Sequence, residues 1–126
     1  MSLVLIATNR LKPGALSTER ARVLELVEFI EQHEPRLIAF NEYADEQAEE
    51  VTVVQLHPDA DSLRFHTEVV AEPAARAYAE TLDATTAIQL YGTPDEEILA
   101  NLRRQAGNGV RLTIRPDHLG GFTRSQ

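Results

Sequence analysis

The 126-residue chain has no cysteine. That removes disulfides, a thiol nucleophile and thiolate metal sites, and it suits a cytoplasmic setting. It also lacks a long apolar run. The N-terminal stretch Leu3 to Ala7 is short and no basic segment precedes it, so it predicts a strand and neither a secretory signal nor a membrane span. Basic residues are scarce: 12 Lys and Arg stand against 20 Asp and Glu, for a formal charge of −8. An acidic domain of this size repels phosphate backbones, so no nucleic-acid partner is expected. The four histidines, His33, His57, His66 and His118, form no HxxxH or HxH pair, and no metal is expected. Gly107-Asn108-Gly109 follows a helical pattern and precedes a strand pattern, the wrong order for a phosphate-binding loop, and no GxSxG elbow occurs.

What is present is ordinary globular material, 43% hydrophobic and 25% charged, sized for one domain spanning residues 1–126. Residues 3–11 read as a strand, and Pro13-Gly14 as a turn. Ser17 or Thr18 can cap a helix in which Val23, Leu26, Val27 and Ile30 form one apolar stripe. That helix should stop near His33, because Glu34 precedes Pro35. Residues 37–44 and 51–57 predict an antiparallel hairpin across a short polar linker.

Pro58-Asp59-Ala60-Asp61 turns into a helix whose Leu63, His66 and Val70 share a face. Pro73 then restarts the helical pattern at N1. A strand is expected at 85–91. Thr93 as N-cap, Pro94 at N1 and Glu96 at N3 start a last helix, closed by Gly107, and a short strand follows at 110–115.

The core order, strand, helix, strand, strand, helix pair, strand, is that of a ferredoxin-like α+β sandwich (about 1–92), with a C-terminal helix, strand and tail (93–126). Helices cover one sheet face in that fold, yet Leu3, Leu5 and Ala7 oppose Val4 and Ile6, and Val51 and Val53 oppose Val54 and Leu56. Both faces are apolar. A bare apolar face of that size needs a cover: either a second copy, making a homodimer, or the helix at 94–106 folded across it.

The stretch EPRLIAFNEY (34–43) resembles the start of the second strand in the antibiotic-biosynthesis-monooxygenase superfamily. SLRFHTEVVAEPAARAYAETL (62–82) resembles its second helix, with His66 at the histidine position. The ending HLGGFTR looks like a C-terminal extension found in some relatives. The resemblance implies a dimeric α/β barrel, and oxygen insertion into phenolic or quinol-type aromatics with neither flavin nor metal, hence no cofactor. The haem-degrading relatives share an Asn, Trp and His set; this chain has no Trp, which weighs against that activity.

His66 is the candidate catalytic residue. An imidazole aimed at the sheet can take a proton from a phenol or enol near neutral pH; its structural alternative is a buried histidine bonded to a carbonyl. Tyr78, on the apolar face of the next helical segment, and Asn9, near a strand end, are candidates to orient a substrate oxygen. Asn41 and Tyr43 are candidates for the pocket or the dimer interface. The leading expectation is a homodimeric, cytoplasmic, monooxygenase-like enzyme acting on a small aromatic, quinol or polyketide-like molecule, with no membrane partner. The alternative is a non-catalytic binding or interaction module on the same fold. The tail at 118–124 reads as a latch onto the body or a partner chain, with Arg124 facing the acidic linker 45–50, or as a lid over the pocket.

Overall fold

The computed structural model describes residues 2–124; the end of the tail at 125–126 lies outside the described residues. Branched apolar residues make β1 (Leu3–Leu11), and the turn at Pro13-Gly14 leads into α1 (Leu16–His33). A hairpin of β2 (Ala39–Asp45) and β3 (Glu50–His57) follows, then α2 (Ala60–Val69), α3 (Ala71–Glu80) and β4 (Leu82–Tyr91), and finally α4 (Glu96–Ala106) and β5 (Arg111–Arg115). The sheet order is β2-β3-β1-β4-β5. The first four strands pair antiparallel, and β5 lies parallel to β4. This is the ferredoxin-like arrangement, extended at one edge by a β4-α4-β5 crossover.

Several helix starts differ from the sequence expectation. α1 is capped by Ala15 without a side-chain bond, so Ser17 and Thr18 lie inside the helix. Asp95, not Thr93, caps α4: its carboxylate accepts from the Ile98 N–H at 2.9 Å. Thr93 instead donates to the Pro116 carbonyl at 3.0 Å. Pro73 occupies the third position of α3, because the break falls at Val70. A proline is tolerated there, since first-turn N–H groups have no intrahelical acceptor. α1 does end at His33, whose Nδ1 lies 2.8 Å from the Phe29 carbonyl. β4 begins three residues before the expected start at 85.

The pairing register decides the two sheet faces, because residues directly opposite share a side. Leu3 faces His57, Leu5 faces Gln55 and Leu90, and Ala7 faces Ile88. This side carries the core, where Leu3, Leu5, Leu63, Ile88, Leu90, Ile98 and Leu102 are buried together. α4 supplies two of those residues and packs on α2, β4 and β5. The helix at 94–106 is therefore in the same layer as the other helices and does not cross the opposite face, correcting that alternative. The opposite face presents Val4, Ile6, Val54, Leu56 and Tyr91, all half-buried, and no described helix covers it.

A polar cluster pins α1 to the sheet. The buried Glu19 carboxylate accepts from Arg22 at 2.7 and 2.6 Å and from the Thr81 hydroxyl at 2.7 Å. Glu42 reaches in from β2; its side chain is 6% exposed and lies 3.8 Å from the Arg22 guanidinium, beside Glu19. Burial, then the hydrogen bond and charge of Glu19, push the Glu42 carboxyl up to about 9 against the attraction of Arg22. Burial alone would raise Glu19 too, but hydrogen bonds from Arg22, Glu42 and Thr81 hold it below its ordinary value.

The tail neither latches onto its own body nor covers a pocket among the described residues. Leu119 is 97% and Phe122 80% exposed, and Arg124 lies 4.8 Å over the Phe122 ring instead of facing linker 45–50. Within the chain, the latch and lid expectations are both corrected; a latch onto a second copy is left.

Candidate functional site

A cavity of about 430 Å3 opens between the sheet and the helix layer. Leu5, Ala7 and Ile88 form its floor from the sheet, and Leu63, Ala74, Ile98 and Leu102 form apolar walls from α2, α3 and α4, with Val70 at the α2–α3 break. The size suits a small organic ligand. His66, Gln55 and Tyr78 are polar groups in this lining, with Arg64, Thr67, Asn101 and Gln105 also contributing.

His66 reaches the cavity because the spacing Leu63, His66, Val70 keeps one face of α2 on the sheet. The residue is 5% exposed. Its Nδ1 lies 2.9 Å from each carboxylate oxygen of Glu34, the buried C-cap residue of α1. A carboxylate only accepts, so Nδ1 carries the hydrogen and Nε2 keeps its lone pair. Among the described residues Nε2 makes no hydrogen bond, and no fully buried side-chain nitrogen or oxygen lacks a partner. Nε2 therefore opens into the cavity. Burial pushes the imidazole below its ordinary value, while the charge and hydrogen bond of Glu34 oppose the shift. The result is a neutral imidazole at pH 7, oriented by a carboxylate. It can accept a proton at Nε2 and be stabilised as the cation.

His57 is packed behind it, the two ring centroids 5.5 Å apart. Fully buried, His57 sits 2.9 Å from Ser62 Oγ through Nδ1 and 2.9 Å from Gln55 Oε1 through Nε2. Burial first, and His66 second, push it down to about 3, so it stays neutral.

The other sequence candidates divide. Tyr78 lines the cavity, but its hydroxyl donates to Asn9 Oδ1 at 2.9 Å, and the Thr85 hydroxyl donates to the same atom at 2.7 Å. Asn9 is buried behind Tyr78 and holds that ring without lining the cavity itself. Asn41 and Tyr43 pair opposite Val54 and Thr52, on the sheet face away from the cavity, and both are exposed. They are corrected as pocket residues and belong to the open face. Sequence reasoning missed Glu34, Gln55 and Ser62 as site residues, and it weighed His57 only as a metal ligand. No local spacing connects Glu34 with His66, 32 residues apart. Gln55 did carry a signal, as a polar residue on the apolar side of a strand. Among the described residues no group of three or more His, Asp or Glu could hold a metal ion, and no helix is long and apolar enough to cross a membrane.

A ferredoxin-like sheet with a pocket under its helices and an uncovered opposite face defines the class. No protein-family profile matches the sequence, and no curated protein does. Solved structures do. The chain is similar to MupZ from Pseudomonas fluorescens, at 15% identity and TM-score 0.73, covering 98% of this chain and 94% of that one. It is similar to an antibiotic biosynthesis monooxygenase at 24% identity and TM-score 0.59, covering 70% and 94%. A conserved protein from Methanosarcina mazei Go1 follows at 23% identity and TM-score 0.61, covering 72% and 91%. The chain has the fold of the antibiotic-biosynthesis-monooxygenase-like proteins, as the resemblance implied. The coverage by MupZ extends over nearly the whole chain, so its likeness includes the C-terminal extension.

Proposed function

We propose that this chain is a small cofactor-independent monooxygenase-type enzyme that works on a neutral aromatic, quinol or polyketide-like molecule. The observation that carries the reading is His66 Nε2, opening into an apolar cavity and backed by the Glu34 carboxylate. Nε2 takes the proton of a phenol or enol. The electron-rich anion left behind reduces dioxygen: one oxygen atom becomes a carbonyl on the substrate carbon, and the other leaves as water. All the electrons come from the substrate, and the apolar walls keep bulk water from the intermediate. Tyr78 serves as a ring wall whose hydroxyl is tied to Asn9.

The working unit in this proposal is a homodimer in the cytoplasm. The open face presents Val4, Ile6, Val54, Leu56 and Tyr91 side by side with no described helix over them; contiguous apolar surface of this kind marks an interaction site, and a second copy in two-fold symmetry would cover it. Asn41 and Tyr43 would then lie at that interface, where the exposed tail could also grip the partner. Light scattering at micromolar concentration tests the assembly; a monomer alone would overturn it.

Dioxygen consumption with a panel of quinols and phenols, wild type beside His66→Ala, tests the chemistry. Uptake that His66→Ala abolishes in a folded protein supports it. Compounds that raise the melting temperature without any uptake would replace it with the reading of a non-catalytic binding module.

A further inference from the structure

A second polar group of the cavity is held in one orientation from behind. Gln55 lies on β3 and is 7% exposed. Its Oε1 contacts His57 Nε2, while Ser62 Oγ contacts His57 Nδ1. A neutral imidazole has one N–H, so two arrangements are conceivable. If Nδ1 carried the hydrogen, the buried Ser62 hydroxyl would accept it, and its own proton would have no acceptor. If Nε2 carries it, Ser62 donates to Nδ1 and Nε2–H donates to Gln55 Oε1, so each contact pairs one donor with one acceptor. The second arrangement turns the Gln55 NH2 group away from His57. That nitrogen makes no hydrogen bond among the described residues. Since no fully buried polar side-chain atom among the described residues lacks a partner, it faces the cavity that Gln55 lines.

We propose that the Gln55 carboxamide is the anion-holding donor of this site. Its NH2 binds the oxygen that becomes negative when His66 Nε2 removes the proton, with Ser62 and His57 acting as the pair that positions it. This rests on the reading of His66 as the base. The O–H bond of the ligand breaks, its electron pair stays on oxygen, and the proton forms the N–H bond at Nε2.

The same geometry narrows the ligand class. Arg64, the cation at the cavity, is held by Asp61 and Asp95, so a ready-made carboxylate or phosphate meets no unpaired positive charge there. A molecule that enters neutral and ionises in place meets the Gln55 N–H groups. The ligand is an apolar phenol or enol, not an acid that is already charged.

The test uses para-nitrophenol under nitrogen, whose phenol and phenolate forms absorb differently. The pH at which the bound probe ionises is compared with that of the free probe. Wild type should lower it. Gln55→Leu should weaken phenolate binding about tenfold or more, the usual worth of a hydrogen bond to a charge, while binding of the neutral phenol is retained. Gln55→Glu should raise the ionisation pH above the free value. His57→Leu should fall towards Gln55→Leu, and His57→Gln, which still offers an N–H, should restore the shift. An unlowered ionisation pH in wild type, or one unchanged by Gln55→Leu, overturns the proposal. A Gln55-dependent shift with no dioxygen uptake on any quinol supports it and overturns the oxygenase reading alone.

Discussion

Replacing Glu42 by glutamine should make the protein more stable, and more so as the pH rises. The Glu42 carboxyl is buried against the Glu19 carboxylate and pushed from 4.5 up to about 9. Between those values the folded chain holds a proton that the unfolded chain has released. Its folded pKa is raised, so its contribution to stability is fully present below 4.5 and is lost as pH rises towards 9. The loss is about 1.4 kcal/mol per pH unit, which by pH 7 amounts to about 3 kcal/mol. Glutamine has nearly the same volume, stays neutral beside the Glu19 carboxylate and can offer it an N–H, and does not titrate. Glu42→Gln should therefore be more stable by up to about 3 kcal/mol at pH 7, and the gap should widen by about 2 kcal/mol at pH 8.5. Urea unfolding at those two pH values reads the difference. Subtracting the slope of Glu42→Gln from that of the wild type removes the titration of groups far from this site. Equal pH slopes for wild type and Glu42→Gln would mean that Glu42 is ionised in the fold, and the reasoning would be wrong.

At acid pH the buried imidazole dominates. His57 has a folded value of about 3 against 6.5, so stability is lost as pH falls from 6.5 towards 3. Wild type should lose about 2 kcal/mol more than His57→Gln between pH 7 and 5 by denaturant titration. Glu34→Gln keeps an acceptor for His66 Nδ1 but removes the charge that raises its basicity. The acid limb of any activity profile should shift to lower pH, with a rate roughly tenfold down; an unmoved limb would separate Glu34 from the base. At Gly92, φ is +110° and a Cβ would sit 2.6 Å from the Ser2 carbonyl and 2.7 Å from Leu3 Cδ2. Gly92→Ala should cost about 2 kcal/mol or more in a thermal melt, whereas Gly14→Ala has open space and meets only the strain of φ +73°.

Local pattern and composition determined much of this protein. Periodicity located the helices and strands to within a few residues, Pro35 ended α1, and element order specified a ferredoxin-like sandwich. The two-sided apolar strands announced that one face would be left over. The alternation also put His66 on the sheet side of its helix, beside Leu63 and Val70. Only the tertiary structure decided which face α4 would cover, because an amphipathic helix carries no record of the sheet side it will join; Ile98 and Leu102 chose the side where Leu5 and Leu63 were waiting. Register settled the rest: with a side-chain period of two, the pairing of Asn41 with Val54 sent Asn41 and Tyr43 away from the cavity. The partners of His66 and His57 come from a helix end, a strand and a neighbouring turn of helix. Contacts between distant segments leave no spacing to read along the chain, so Glu34 and Gln55 became visible only when the sheet and helices had closed around them.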